Sequence, residues 1–298
     1  MPLSTHEQAR LVTRISERTK PDRTRPTFGF VRLSQLCPTW PDPTLFLETY
    51  AQCHVITPHT CTPTRPLTYA QWRKQPAGRI PNDDLAVLFK SSLYNERHTR
   101  SSLAKEVGIK AHHRLHFHAM ASAGGGWCLN QNNGSVTTKK PLAATLAQHA
   151  FSPVYHPQIE RALLETLAPT VKSPLDRAAS RLGDAMWRAV KASNLRVIAA
   201  EVAVCDKTTA YVTTPGCPPR YLAPRVDAVG IDGRGVITII DYKTCMGRKP
   251  NVLPSHVAQL RVNAHCFARC TGIKPTRCLL VYGMRSGEVH LIHFPFRV

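Results

Sequence analysis

Asp241 and Lys243 stand two residues apart at the end of a short apolar run, Val236-Ile-Thr-Ile-Ile240. Side chains alternate along a strand, so Asp241 and Lys243 share one face and Tyr242 takes the other. An acid and a base at the end of a buried strand are costly to desolvate unless they do something there. Asp227 lies on the strand-like stretch Tyr221 to Val229, and Ile231-Asp-Gly-Arg-Gly235 that follows is turn chemistry, with Asp-Gly expected to supply the positive φ of a hairpin. Such a hairpin brings Asp227 across from Asp241. Upstream, Arg196-Val-Ile-Ala-Ala-Glu-Val-Ala-Val204 is another apolar strand, interrupted only by Glu201. The three carboxylates then converge from three strands at one sheet edge, with a lysine beside them. Carboxylate oxygens suit a hard divalent cation such as Mg²⁺ or Mn²⁺. A cation held next to a lysine serves metal-assisted hydrolysis of a phosphodiester.

Taken in order, Glu201, Val226-Asp227, Asp241-Tyr-Lys-Thr244 and Gln259 in His256-Val-Ala-Gln-Leu-Arg-Val-Asn-Ala264 resemble the PD-(D/E)xK nuclease superfamily, most closely its RecB-type and lambda-exonuclease-like branch. The resemblance covers the C-terminal part of the chain and no more. It implies that Asp227 is the central metal ligand and Asp241 a second, with the main chain of Tyr242 as a further ligand and Glu201 binding directly or through water. One or two Mg²⁺ or Mn²⁺ ions would be held. Lys243 would position or activate the attacking water, and Gln259 would orient the site or contact DNA. Arg225, Arg248 and Lys249 flank these residues and are expected to grip backbone phosphates, while Arg261 is expected to face the substrate beside Gln259.

The sequence departs from the branch at one place. Many members carry a histidine ligand after a glycine, in the helix before the first strand; in Leu182-Gly-Asp-Ala-Met-Trp187 that place holds Trp187, with Asp184 as a substitute. Some members also hold an iron–sulfur cluster, but Cys266, Cys270 and Cys278 do not have that spacing, so buried thiols are expected. Singly, an Asp-x-Lys pair is equally a surface ion pair, Glu201 an edge-strand charge and Gln259 a solvated helix residue; only the ordered set points to a nuclease. The expected activity is a Mg/Mn-dependent deoxyribonuclease, an exonuclease acting in DNA replication, recombination or repair. The alternative is a non-catalytic nucleic-acid-binding protein, an inactive relative of such nucleases.

The elements that must position these residues are legible in outline. Ser173-Pro-Leu-Asp176 supplies a cap and a proline for the first turn of a helix to about Ala192. Leu175, Ala179, Leu182, Met186 and Val190 recur on one face of it. Three strands follow, then a helix from His256 to Ala268, then strands Arg277 to Tyr282 and Glu288 to Phe294. That order predicts an α+β fold, a central mixed sheet flanked by helices with an α-β-β-β-α-β core. A mainly helical N-terminal region, residues 1–138, precedes a nuclease-like domain, residues 139–298. The Gly- and Asn-rich stretch from Ala121 to Thr138 is the candidate boundary.

Within the first region, Thr44 to Cys53 is predicted as a short helix and Asn82 to Lys90 as another. Ser101-Ser-Leu-Ala-Lys-Glu-Val-Gly-Ile109 resembles the start of a helix-turn-helix, or else a plain helical hairpin. His112-His-Arg-Leu-His-Phe-His118 has spacings that put histidines on a shared face, which suits either a metal site or exposed, phosphate-facing side chains. Arg18-Thr-Lys-Pro-Asp-Arg-Thr-Arg-Pro26 is a basic arm that suits DNA phosphates, an import signal or a solvated tail.

Lysine and arginine number 39 against 19 acids, a formal charge of +20. A polyanionic partner is expected, DNA before any membrane surface. No apolar run is long enough to span a bilayer and no signal-peptide core is present at the start. Ten cysteines without a regular framework suit reduced thiols in an intracellular protein, cytoplasmic or nuclear rather than secreted.

Overall fold

The computed structural model describes residues 7, 10–11, 14–15, 42–58, 62–79, 100–122, 173–204, 206–211, 220–222 and 224–296. Along the chain these form α1 (Pro43–Tyr50), β1 (Gln52–Ile56), β2 (Leu67–Thr68), α2 (Tyr69–Lys74), α3 (Arg100–Ser122), α4 (Pro174–Ala192) and β3 (Arg196–Ala203). There follow β4 (Asp206–Tyr211), β5 (Arg220–Leu222), β6 (Arg225–Ile231), β7 (Ile237–Cys245), α5 (Pro254–Thr271), β8 (Arg277–Met284) and β9 (Val289–Pro295). The expected helix Asn82 to Lys90, the basic arm and the Gly-rich stretch beyond Ser122 lie outside the described residues.

The protein is α+β. Seven strands form one mixed sheet in the order β2-β1-β9-β8-β7-β6-β3, and β4 pairs with β5 apart from it. Among the described strands only β7 and β8 run parallel; α5 connects them, as a parallel pair requires a crossover. Alternation along the central strands divides their side chains between two cores. Ile239, Leu280 and Ile292 pack with Phe46, Val257, Leu260 and Phe267, under α1 and α5. Ile240, Leu279, Val281 and Leu291 pack with Val107, Ala111, Leu115, Ala179, Leu182 and Met186, under α3 and α4. Covered on both faces, β7 is buried from Ile237 through Tyr242, which is why its sequence is a continuous apolar run rather than an alternating one.

Local chemistry starts the main helix as expected. Ser173 Oγ accepts from the Asp176 N–H and the Asp176 carboxylate accepts from the Ser173 N–H, a reciprocal cap. All of Leu175, Ala179, Leu182, Met186 and Val190 are buried. The hairpin between β6 and β7 turns at Asp232, whose Oδ1 accepts from the N–H groups of Arg234 and Val236. Its positive φ falls on Gly235, at 81°, and not on Gly233 of the Asp-Gly pair.

The N-terminal half departs from expectation. The helix at Thr44 starts at Pro43, behind the Asp42 cap, and ends at Tyr50. Cys53 is not helical: it lies on β1, which pairs antiparallel with β9 and extends the sheet. Gln52-Cys-His-Val-Ile56 is too short for its alternation to be distinguished from a helix end. Arg100 to Ser122 is a single helix with Gly108 inside it, so neither a helix-turn-helix nor a helical hairpin forms there. Segments on both sides of residue 138 thus build the same sheet and its covering layers.

Candidate metal centre

Backbone pairing of β6 with β7 runs from Ile231↔Ile237 to Ala228↔Ile240 and stops. β7 continues beside β8 as far as Cys245↔Met284. At the fork, Asp227 takes over from the ladder: its Oδ2 accepts from the Tyr242 N–H at 2.9 Å. On the other side of β6, Ala200 pairs with Ala228 and Val202 with Val226, which sets Glu201 opposite Asp227. Glu201 has φ of 51°, a left-handed conformation that costs a non-glycine residue about 1–3 kcal/mol and persists only where its surroundings impose it. Arg225 Nη1 donates to Glu201 Oε2 at 3.0 Å.

α3 brings a residue that the strand pattern does not contain. His112 Nε2 lies 2.8 Å from the main-chain oxygen of Tyr242. A carbonyl can only accept, so Nε2 carries the hydrogen and Nδ1 keeps its lone pair in the neutral ring. Burial lowers the pKa of His112, which holds the ring neutral. Nδ1 stands 3.9 Å from Asp227 Oδ2, and one donor atom each from His112, Glu201 and Asp227 lie within 4.8 Å of one another. Ligand atoms about 2.1 Å from a small cation stand no more than about 4.2 Å apart, so a closure of a few tenths of an ångström would let these three share an ion. An imidazole whose other N–H is tied to a main-chain carbonyl is the usual arrangement of a metal-ligating histidine. Tyr242, expected as a main-chain ligand, therefore orients His112 with its carbonyl and Asp227 with its N–H.

The register of α3 on the sheet is set by Gly108, one turn before His112. A β-carbon at Gly108 would stand 2.7 Å from Thr244 Oγ1, so only glycine allows the helix this close to β7. A glycine four residues before a histidine on a helix was the available signal for His112. In the sequence, Gly108 also suits the turn of a helix-turn-helix and His112 begins a run of histidines, which conceals that signal.

Asp241 lies outside the His112–Glu201–Asp227 group. Its side chain is 1% exposed; desolvation, then the charge of Asp227, push its pKa up to about 7. Lys243 Nζ donates to Asp241 Oδ1 at 3.1 Å and to Gln259 Oε1 at 3.3 Å. It also stands 2.8 Å from Oδ2, but without the angle of a hydrogen bond, so Oδ2 keeps free acceptor capacity in a buried position. Asp227 is likewise pushed up to about 6, by burial first and Glu201 next, against the opposing Tyr242 N–H. Carboxylates whose ionised form is disfavoured in this way accommodate a divalent cation in place of protons, so the donor set fits the metal that the resemblance implies.

Other expected site residues are placed differently. Trp187 is buried and stacks on His118, ring centroids 5.4 Å apart. Asp184 takes Arg114 Nε and His118 Nε2, each at 2.6 Å, and so does not substitute for a metal-binding histidine. Arg261 does not face a substrate: it is 4% exposed, with its guanidinium 4.6 Å above the Phe46 ring, because its position on α5 is on the core side. Lys249 is not free to grip phosphate, since its ammonium donates to the main-chain oxygens of Arg73 and Gln75 at the end of α2. Arg248 is exposed. Cys266 and Cys278 are buried and Cys270 is half-buried; burial pushes the Cys278 pKa upward. Among the described residues, no helix is long and apolar enough to cross a membrane.

No model of a known protein family matches the chain. Comparison with curated proteins also finds no significant match.

Proposed function

We propose that the protein is a metal-dependent deoxyribonuclease of the PD-(D/E)xK type, an exonuclease of DNA replication, recombination or repair. The observation that carries this reading is the meeting of one donor atom each from His112, Glu201 and Asp227 within 4.8 Å, next to the Asp241–Lys243–Gln259 set. The order α4, β3, β6, β7, α5, β8 around that site supports the family resemblance, as does a formal charge of +20 for a polyanionic substrate.

His112, Glu201 and Asp227 would hold one Mg²⁺ or Mn²⁺, with Asp241 Oδ2 as a further acceptor on β7. Bound there, the ion supplies a water of lowered pKa and positive charge for the phosphate oxygens. Tyr242 holds two of the ligands in position through its main chain. Lys243, steadied by Asp241 and Gln259, directs its N–H groups toward the attacking oxygen or a phosphate oxygen. Such contacts hold phosphate rather than base edges, which implies little sequence specificity.

The test is incubation of the purified protein with linear and circular DNA in Mg²⁺ or Mn²⁺, with and without EDTA. Loss of linear DNA alone is the expected result; nicked circles would make it an endonuclease. DNA retained intact in both metals, yet bound by the protein, would replace this reading with a non-catalytic nucleic-acid-binding protein.

A further inference from the structure

α5 presents His256 one turn before Gln259, and the two side chains diverge. Gln259 accepts from Lys243. His256 turns to β8, where its Nδ1 lies 2.7 Å from the Tyr282 hydroxyl. Tyr282 is the register partner of Lys243 in the parallel pair β7–β8, so phenol and ammonium rise side by side from the same face of the sheet. His256 thus borders Lys243 from two directions, along its helix through Gln259 and across the sheet through Tyr282.

The phenol decides the direction of the hydrogen bond. Tyr282 is 2% exposed, and its hydroxyl has this one hydrogen-bond partner among the described residues. A buried O–H without an acceptor keeps its full desolvation cost, whereas a half-buried imidazole can turn its other nitrogen to water. The Tyr282 hydroxyl therefore donates to Nδ1, and the neutral ring carries its hydrogen on Nε2. Desolvation and Lys243 push the pKa of His256 down to about 4, so the ring is neutral throughout the physiological range. Nε2 has no hydrogen-bond partner among the described residues and is not sealed from solvent.

We propose that the Nε2–H of His256 donates a hydrogen bond to a non-bridging phosphate oxygen of the nucleic-acid strand bound at Lys243, making His256 a substrate-binding residue. The inference rests on the nuclease reading for the identity of the strand. Lys243 Nζ and His256 Nε2–H are donors without acceptor capacity, and the complementary group is an anionic oxygen. A second cation beside Lys243 would be repelled; a neutral donor with a fixed tautomer is not.

Three measurements test this. NMR of the imidazole nitrogens in the wild-type protein should show Nε2 protonated and Nδ1 bare; the reverse tautomer overturns the proposal. Affinity for a short linear duplex, measured in EDTA, should fall about 10-fold in His256→Ala, as for a hydrogen bond to a charged group. It should recover in His256→Gln, whose amide nitrogen reaches toward the place of Nε2. A methylphosphonate that neutralises the contacted phosphate should weaken the wild type more than His256→Ala. Equal losses in the alanine and glutamine variants, or none in either, sink the proposal. Cleavage in Mn²⁺ separates the two claims. If the wild type cleaves and His256→Ala binds and cleaves equally well, the phosphate contact fails and the nuclease stands. If nothing cleaves but the duplex affinities follow the expected order, the nuclease fails and the contact stands. Should His256→Ala not fold, Tyr282→Phe replaces it: releasing the tautomer should weaken duplex binding, and unchanged binding overturns the proposal.

Discussion

Lys243 Nζ stands between the two oxygens of Asp241, 3.1 Å from Oδ1 and 2.8 Å from Oδ2. One carboxylate is thus held almost without exposure by one ammonium, at the fork where β7 leaves β6. Asp241→Ala removes the acceptor that steadies Lys243 and a further oxygen on offer to a cation. Cleavage of linear DNA should be abolished while duplex affinity stays largely intact. Cleavage at the wild-type rate would end the mechanism.

The raised pKa of Asp241 makes a prediction about stability. Its folded value, about 7, lies above the ordinary 3.8, so the folded chain binds this proton more readily than the unfolded chain. The group therefore contributes stability at low pH that is lost as pH rises from about 4 to 7. Asp241→Asn cannot ionise. Relative to the wild type, its metal-free stability should increase between about pH 5 and about pH 7.5, by on the order of 1–3 kcal/mol. The opposite contributions of His256, His290 and His293, each pushed down to about 4 by burial, cancel in that difference. Urea denaturation in EDTA at the two pH values measures it; parallel behaviour of the two proteins would show that Asp241 ionises without penalty.

His112→Ala should lower Mn²⁺ affinity at least about 10–100-fold, the range seen when even an outer-shell partner of a metal site is lost. Calorimetric titration of the metal-free protein reads this directly. Unchanged affinity would remove His112 from the ligand set.

Gly108→Ala adds a β-carbon 2.7 Å from Thr244 Oγ1. Overpacking of this kind costs about 1–3 kcal/mol, against about 1 kcal/mol of helix propensity returned by alanine. The separation of α3 from β7 should carry His112 outward and weaken Mn²⁺ binding. Thr244→Ala in the same chain removes the clashing oxygen and should restore both stability and affinity. Additive losses in the double variant would deny the coupling.

Asp184→Asn weakens the hydrogen bonds from Arg114 and His118 and should cost about 1–2 kcal/mol of stability. Mn²⁺ affinity should not change, because Asp184 belongs to the contact between α3 and α4 and not to the candidate metal centre. A matched loss of metal binding would return Asp184 to the site.

What the amino-acid order determined by itself was local. The unbroken apolar run Val236-Ile-Thr-Ile-Ile240 marks a strand buried on both faces, and its period of two puts Asp241 and Lys243 on one side. Ser173, Pro174 and Asp176 start α4 whatever the rest of the chain does. The hairpin through Asp232 then sets Asp227 near Asp241. What tertiary structure alone decided was the company those residues keep. His112 is more than a hundred positions from Asp227 and reaches it because Gly108 lets α3 lie on Thr244, a packing distance that no local period encodes. The same holds for residues that left the site. Arg261 and Lys249 have the right charge in the right neighbourhood, but the facing of α5 buries one and the exposed carbonyls ending α2 engage the other. Charge and spacing name the groups available for chemistry; close packing between elements distant in sequence selects which of them meet.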